Sequence, residues 1–320
     1  MIDLVRRRYL WFAISLFTII PGLIALLLWG LNLGIDFAGG TRWEVHIPSQ
    51  AQAAVGLETQ MNDVFARNNL EGRTQTSQGE LRGKPFTIAA VRTLPVESTS
   101  PQKAAIEADL RQTFGADTFL NSFQSVGETV RGAAVQKAIL AVFLASLAIL
   151  LYLWIAFRRT AHPLRFGVCA ILAMLHDVLV VIGLAAILGH FIGLEVDGLF
   201  LTALLTVISF SIHDTIVVFD RIRENERRSS EPYEQVVNRS IVQTLNRSIA
   251  TQFTSFFTLT ALLLFGGASI RSFVLILLLG LISGTYSSIF NAAQLLVVWE
   301  NREWRTWFGR GDKAKPAPAA

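Results

Sequence analysis

The sequence has 320 residues, of which 52% are hydrophobic and only 16% are charged. A mean hydropathy of +0.46 excludes an ordinary soluble domain and indicates a multi-pass membrane protein. The formal net charge is +4, and its uneven distribution along the chain argues against nucleic-acid binding. The single cysteine, Cys169, lies within an apolar stretch and excludes an intramolecular disulfide.

Six apolar stretches reach or approach the roughly 20 residues that an α-helix needs to cross a bilayer. They lie at 11–30, 134–157, 166–188, 199–219, 248–265 and 273–299. The first stretch is too long for a signal peptide and lacks a small-residue cleavage site. The sequence therefore predicts a membrane α-helical fold with six transmembrane helices.

Lys and Arg residues indicate the orientation of these helices, because cytoplasmic segments are enriched in them. They cluster in the arm 1–10, between the second and third stretches, in the loop 220–247 and in the tail 300–320. The two short loops on the opposite side contribute only Arg271. Both termini are therefore predicted to be cytoplasmic, and the tail is predicted to be disordered.

One extracytoplasmic domain is predicted at 34–132, between the first helix (11–33) and a five-helix membrane domain (133–299). The predicted elements are a strand at 41–47, a helix at 49–70 capped by Ser49, two strands within 73–93, a helix at 100–115 capped by Ser100, and a strand at 117–127. This β-α-β-β-α-β order is typical of a ferredoxin-like α+β domain. The segment contains no cluster of residues typical of catalysis or metal binding. For the chain as a whole we expect no metal and no cofactor, and a transport subunit rather than an enzyme.

A short motif, "GIDFAGGT", joins the first helix to this domain. Its residues Asp36, Gly39 and Gly40 precede the first strand, and the two glycines permit a tight turn. The motif is either a fixed structural turn or a hinge on which the domain moves.

Ionisable residues inside the apolar stretches are the strongest functional signal, because their burial in a bilayer is costly. Asp177, preceded by His176, lies about halfway through the third stretch. Asp214, preceded by His213, lies in the cytoplasmic half of the fourth, and Arg247 at the mouth of the fifth. The fourth and fifth helices run antiparallel, which puts Asp214 and Arg247 at similar depth and allows them to pair.

Polar residues at helical spacing predict a seam inside the bundle. The seam comprises Ser211, Thr251, Thr254, Thr258, Ser283, Ser287, Asn291 and Gln294. Such a seam can hold water and pass protons. In the alternative interpretation the threonines bond their own helix, Arg247 reaches lipid headgroups, and the histidines are packing partners. Gly280 and Gly284 form a GxxxG pair that permits close helix contact.

Several motifs together resemble the SecD/SecF family of bacterial protein export, and within it the SecF half. They are "SIHDTIVVFDRIREN", "GIDFAGGT", "AMLHDVLVVIGL", "QTLNRSIATQF" and "FGGASIRSFVLILLLGLISGTYSSIF", which occur in the order of the family. The resemblance covers the chain up to about Trp304. His213 departs from it, since the family has Asn there, and Asn291 replaces an apolar residue.

The resemblance implies one half of a twelve-helix RND-type transporter in the bacterial inner membrane. It implies a SecD partner, contact with the SecYEG channel and a preprotein substrate, with YidC as a further candidate partner. It also implies use of the proton-motive force in late, extracytoplasmic steps of export, with Asp214 and Arg247 in proton conduction. We expect His213 and Asp177 to take part in the same proton coupling.

Three other interpretations remain open at this point. An RND-class transporter of lipid or small molecules would share the proton machinery. An intramembrane hydrolase would need Asp177 and Asp214 to converge on one water, but roughly six residues of depth, about 9 Å, separate them. A passive assembly subunit would conduct nothing.

Overall fold

The computed structural model describes residues 3–48, 56–81, 84–158 and 163–307. Six of its helices are long and apolar enough to cross a membrane. Their bounds are Val5–Trp29, Glu128–Phe157, Pro163–Ile192, Gly198–Arg228, Tyr233–Phe265 and Ile270–Glu300. The predicted six-helix architecture is thus confirmed, and most helices extend beyond their apolar stretches because helical hydrogen bonding continues through polar ends.

Two compact units make up the chain. The helical unit falls within Met1–Leu31, Ala141–Phe191 and Leu199–Ala320, and the sheet unit comprises Asn32–Leu140 and Ile192–Gly198. The sheet unit is therefore larger than the predicted domain 34–132. It also takes in the connection between the third and fourth long helices.

The helical unit contains α1 (Arg8–Trp29), preceded by a short 3₁₀ turn, α6 (Pro163–Ile192), α7 (Gly198–Arg228) and α8 (Tyr233–Phe265). It also contains most of α5 (Glu128–Phe157). Helix runs through most of the predicted loop 220–247, because α7 ends only at Arg228 and α8 begins at Tyr233.

The sixth long helix is interrupted. Helix α9 (Ala268–Ser287) passes into a π-helical segment, Ser288–Ala292, and then into α10 (Ala293–Glu300). A π-helical turn inserts an extra residue and often marks a functional site. The predicted close contact is confirmed at Gly284, where a Cβ atom would lie 3.1 Å from Cβ of Ser211 on α7.

Aromatic stacking fixes one end of the helical unit. The ring of Phe157 at the end of α5 stacks on Phe166 of α6 with centroids 4.9 Å apart. Phe219 of α7 meets Phe166 edge to face at 5.3 Å. All three side chains are buried, so their apolar area stabilises the contact among three helices.

A polar cluster joins the beginning of α1 to the residues that follow α10. Arg8 donates to Glu303 at 2.6 Å and to Glu234 at 3.2 Å. Burial opposes the charge of Glu303, but hydrogen bonds from Arg8, Tyr9 and Asn301 outweigh it. The pKa of the Glu303 carboxyl is therefore held below its ordinary value.

The sheet unit contains α2 (Ile35–Ala38), β1 (Gly40–Pro48), α3 (Leu57–Arg67), β2 (Arg73–Leu81), β3 (Lys84–Thr93), α4 (Pro101–Phe114) and β4 (Phe119–Val126). The antiparallel order is β2-β3-β1-β4, which confirms the ferredoxin-like fold. Ser100 caps α4 as predicted by accepting the N–H of Lys103 at 3.3 Å. Ser49 lies outside the described residues, and α3 begins only at Leu57.

The core of the sheet unit centres on Trp43 of β1. Its ring meets Phe65 of α3 and Phe123 of β4 edge to face, at 5.3 and 4.6 Å. The indole N–H donates to the Thr93 hydroxyl at 3.0 Å, so the buried polar atom is satisfied. The apolar residues that alternate along β1 thus face the helices, as the sequence predicts.

Candidate functional site

Asp177 is the most completely enclosed ionisable residue of the site, with a relative exposure of 0%. Its Oδ2 accepts hydrogen bonds from Ser211 at 2.5 Å and from Ser287 at 2.6 Å. Its Oδ1 accepts from Ser283 at 2.9 Å and lies 3.1 Å from Nδ1 of His176. We call these four hydroxyl and imidazole partners and Asp177 the serine cluster.

The serine cluster joins three helices at one point. Asp177 lies on α6, Ser211 on α7, and Ser283 and Ser287 at the end of α9. Carboxylate oxygens accept hydrogen bonds, and the three serine hydroxyls donate to this carboxylate from two other helices. The cluster therefore holds the three helices together at one point.

Hydroxyl contacts continue from the serine cluster into the π-helical segment. Ser288 donates to the backbone carbonyl of Ser211 at 2.9 Å, and Thr215 donates to the Ser288 hydroxyl at 2.9 Å. Both of these hydroxyl residues are buried. The irregular part of the sixth long helix is thus bonded side by side to the middle of α7.

Asp214 has a different environment from Asp177. It is also buried, with an exposure of 4%, but within the described part of the chain its carboxylate accepts one hydrogen bond, from the side-chain amide of Gln252 on α8. The other amide atom, Oε1 of Gln252, is buried and has no partner among the described residues. The carboxylate of Asp214 is therefore held in place by fewer described contacts than the carboxylate of Asp177.

Within the described residues Asp214 and Arg247 form no ion pair, so the pairing that the sequence allowed is not seen. Gln252, five residues further along α8, takes the place beside the carboxylate. Arg247 is exposed and lines a cavity of about 550 Å³ together with Asp220 and Gln243. Helical geometry explains this. Five residues are more than the roughly 3.6 residues of one helical turn, so the side chains of Arg247 and Gln252 leave α8 in different directions.

His213 is exposed, although its neighbour Asp214 is buried. Successive residues of a helix project in directions about 100° apart. His213 lines a groove of about 570 Å³ with Thr202, Thr206 and Ser209 of α7. These residues recur at helical spacing, and we call them the α7 polar stripe.

The threonines predicted to line the seam do not face the interior of this chain. Thr251, Thr254 and Thr258 are exposed, and each hydroxyl donates to the carbonyl four residues earlier at 2.9–3.0 Å. The alternative interpretation, in which they bond their own helix, is therefore the one observed. Spacing alone placed them on one face, but it could not tell which face packs inward.

Asn291 does belong to the interior. Its Oδ1 accepts a hydrogen bond from Ser15 of α1 at 2.9 Å, and both side chains are buried. One turn earlier, Tyr286 donates its hydroxyl to the carbonyl of Trp11 at 2.6 Å. These contacts tie α1 to the irregular part of the sixth long helix.

The sequence analysis did not predict that Gln252 contacts Asp214. It did place Gln294 in the polar seam, but it did not predict the surroundings of that side chain. Gln252 stands in the "ATQF" motif one residue after Thr251, and its amide was the available signal. Gln294 has an exposure of 0%, and neither amide atom has a partner among the described residues. Nε2 of His176 is likewise buried without a partner there.

The motif predicted as a turn or hinge has definite contacts. The carboxylate of Asp36 accepts the backbone N–H of Gly198 at 2.8 Å. Gly39 ends α2 with φ of +76°, and Gly40 begins β1 with φ of +112°. A side chain on Gly40 would meet the carbonyl oxygen of Thr93, so glycine is needed for both backbone angle and space.

Two buried carboxylates with different environments suit different tasks. Among the described residues, Asp177 has four hydrogen-bond partners on α6, α7 and α9, whereas Asp214 has Gln252 of α8. The hydrogen-bond partners of the two residues have no member in common. The arrangement therefore does not support the hydrolase interpretation, which needs both carboxylates on one water.

Comparison with known proteins identifies the family. Residues 105–302 match the family model described as Protein export membrane protein SecD/SecF, C-terminal, and residues 29–46 match the SecD/SecF GG motif. Protein translocase subunit SecF of Thermobaculum terrenum is 50% identical over 316 residues, which cover 97% of this chain and 98% of the relative.

Longer relatives match along part of their length. Protein translocase subunit SecDF of Bacillus subtilis is 33% identical over 94% of this chain, which spans 38% of that protein. The crystal structure of SecDF, a translocon-associated membrane protein from Thermus thermophilus, has a TM-score of 0.77 at 30% identity. It covers 94% of this chain, which spans 39% of that one. The chain belongs to the SecD/SecF family of protein-export membrane proteins.

Proposed function

We propose that this chain is a SecF subunit that, with a SecD partner, uses the proton-motive force to promote late steps of preprotein export. It lies in the bacterial inner membrane with both termini in the cytoplasm, in keeping with the distribution of Lys and Arg. The observation that carries the proposal is a buried carboxylate, Asp214, whose hydrogen-bond partner among the described residues is a neutral amide.

Gln252 can bond Asp214 in either protonation state. An ionised carboxylate only accepts, and the amide Nε2 donates to it. A protonated carboxyl also donates, and Oε1 of Gln252 is buried and lacks a partner in the described part of the chain. A proton arriving at Asp214 therefore turns the amide over, which changes the contact between α7 and α8.

Repacking of α7 against α8 is the step that couples proton flow to movement. Arg247 lies on α8 five residues before Gln252, so it shifts with the same helix. His213 projects from the exposed side of α7 and can exchange a proton with water or with a partner. Asp177, held by its serine cluster, keeps α6, α7 and α9 together while Asp214 changes charge.

The α7 polar stripe supports a SecD partner. An imidazole facing lipid would be costly, and polar groups in membrane helices usually face protein or water. Thr251, Thr254 and Thr258 of α8 are likewise exposed. In the SecDF relatives a chain of this length makes up about two fifths of the protein. We infer that a second six-helix half covers these faces.

The remaining partners follow from the family. The complex acts beside the SecYEG channel, with YidC as a further candidate neighbour. The sheet unit holds an emerging preprotein and prevents it from slipping back, so that the proton gradient drives a ratchet. The chain is therefore a transport subunit rather than an enzyme.

Preprotein translocation into membrane vesicles tests the proposal. Vesicles carrying the SecD partner and either the unaltered chain or Asp214→Asn are compared with and without an imposed proton gradient. Asparagine keeps the shape and the hydrogen bond to Gln252 but cannot take up a proton. We expect the variant to assemble and to lose only the gradient-dependent part of translocation. Unchanged gradient stimulation would instead make the chain a passive subunit.

A further inference from the structure

Two connecting segments of the sheet unit are bonded to each other along their backbones. Leu33 and Val196 form a parallel bridge, in which Gly34 donates to the carbonyl of Val196 at 2.8 Å. Val196 in turn donates to the carbonyl of Asn32 at 2.8 Å. The segment that leaves α1 is thus fastened to the segment that precedes α7.

Two arginines of the sheet reinforce this attachment. Arg42 of β1 and Arg92 of β3 are directly opposite each other in the sheet register. Like charges in that position repel, but the carboxylate of Glu195 lies 3.6 Å from each guanidinium. The side chain of Glu195 is only 14% exposed, so its charge is better shielded from solvent than that of a surface ion pair.

One of these arginines, Arg92, also holds the first segment. Arg92 donates from Nη2 to the carbonyl of Leu33 at 2.7 Å. One sheet residue thus contacts both connecting segments, through Leu33 on one and Glu195 on the other. Removing the Glu195 charge leaves two opposed arginines without their common partner.

Asp36 completes the arrangement at the first residue of α7. Its carboxylate accepts the backbone N–H of Gly198 at 2.8 Å, a group that the helix itself leaves without an acceptor. A negative charge at a helix N-terminus is also favoured by the helix dipole. The beginning of α7 is therefore bonded to a residue that lies four positions before β1.

We propose that Asp36, Arg42, Arg92 and Glu195 form a latch that couples movement of α7 to the sheet. Helix α7 runs without interruption from Gly198 to Arg228 and carries Asp214 about 24 Å along its axis. A shift of α7 driven by Asp214 must therefore carry the sheet with it or break the latch. Glu195 is the central positioning residue, because its carboxylate contacts both arginines.

This inference rests on the proposed function for its coupling step, but its structural part can be measured alone. Hydrogen exchange of the intact complex reports the opening of the amides of Val196 and Gly198, whose acceptors are part of the attachment. Glu195→Gln keeps the size of the side chain and removes its charge. We expect exchange of these amides to be about fivefold faster, in keeping with the loss of roughly 1 kcal/mol of ion pairing.

A matched control is Glu71→Gln, because Glu71 is an exposed carboxylate of the same unit. It should leave exchange and translocation unchanged. Glu195→Arg should speed exchange and lose gradient-stimulated translocation. Combining it with Arg42→Glu should restore both in part, because Arg92 keeps its hydrogen bond to the Leu33 carbonyl. Rescue of this kind would not follow from a merely packed side chain.

The experiments distinguish a failure of the latch from a failure of the proposed function. If exchange near Gly198 is the same in Glu195→Gln and in the unaltered chain, the latch is wrong whatever the gradient does. If exchange accelerates while gradient-stimulated translocation stays intact, the latch exists but does not couple, and the inference is overturned. Failure of the proposed function itself appears separately, as gradient stimulation that survives Asp214→Asn.

Discussion

Replacing Ser287 by alanine tests whether the serine cluster holds the helical unit together. Ser287 has an exposure of 0% and donates to Asp177 at 2.6 Å. A hydrogen bond to a charged group contributes about 1.5–3 kcal/mol in soluble proteins, whereas bonds between membrane helices average about 0.6 and reach about 1.7 kcal/mol. Because this acceptor is a fully buried carboxylate, we expect a loss near the upper membrane value, about 1.5 kcal/mol.

Ser248→Ala is the matched control for this change. The hydroxyl of Ser248 is also buried, at 2% exposure, but it has no partner among the described residues. Its removal should therefore be neutral or slightly stabilising. Unfolding of the purified chain by a denaturing detergent, measured from mixed micelles, compares the two variants with the unaltered protein.

A double-mutant cycle makes the comparison specific. Ser287→Ala removes the donor of this hydrogen bond, and Asp177→Asn removes the charge on which its strength depends, so their effects on the free energy of unfolding should not add. Equal effects of Ser287→Ala and Ser248→Ala, or strict additivity with Asp177→Asn, would refute the reasoning. Asp177 would then be a buried residue whose hydrogen bonds do not hold the three helices together.

Three further predictions concern other parts of the chain. Trp43→Ala should destabilise the sheet unit by about 3–5 kcal/mol, because it empties the aromatic core; hydrogen exchange of β1 measures this, and an unchanged rate would contradict it. The lowered pKa of Glu303 means that its contribution is complete above the ordinary value of 4.5 and is lost as pH falls through the folded-state value; thermal unfolding should therefore become acid-sensitive there, and less so in Glu303→Gln. Ser209→Trp, on the α7 polar stripe, should reduce co-purification of SecD, whereas Leu144→Trp on the exposed face of α5 should not; equal recovery would argue against the stripe as the contact.

Much of the architecture could be predicted because the controlling signals are local. Apolar length defines a membrane helix, and alternation along β1 defines a half-buried strand. Ser100 followed by Pro101 marks the start of α4, and the structure confirms the cap. These signals depend on a few neighbouring residues, so one sequence is sufficient to recognise them.

The contacts of the site could be predicted only in part. Helical spacing correctly grouped Ser283, Ser287 and Asn291, but it also grouped Thr251 and Thr254, which face outward. The choice between inward and outward faces depends on the rotation of each helix within the bundle. That rotation is set by the packing of all neighbours together, which periodicity within one helix does not contain.

Partners that are distant in sequence were the least predictable. The contacts of Gln252 with Asp214 and of Glu195 with two arginines are tertiary contacts, which the residues next to Gln252 and Glu195 in the sequence do not indicate. The prediction placed Arg247 near Asp214 because the two residues lie at similar depth in the membrane. Similar depth does not determine in which direction each side chain points from its helix. The bond to Gln252 rather than Arg247 follows from the direction in which each side chain leaves α8.

The central claim is that Asp214 takes up and releases a proton and that Gln252 responds. Infrared difference spectroscopy of the chain with its SecD partner in lipid, recorded as the pH is lowered, measures both groups directly. The account predicts a protonated-carboxyl band that appears on acidification and is missing in Asp214→Asn, together with a shift of an amide band that is missing in Gln252→Leu. A carboxyl band that is the same in the unaltered chain and in Asp214→Asn would contradict it.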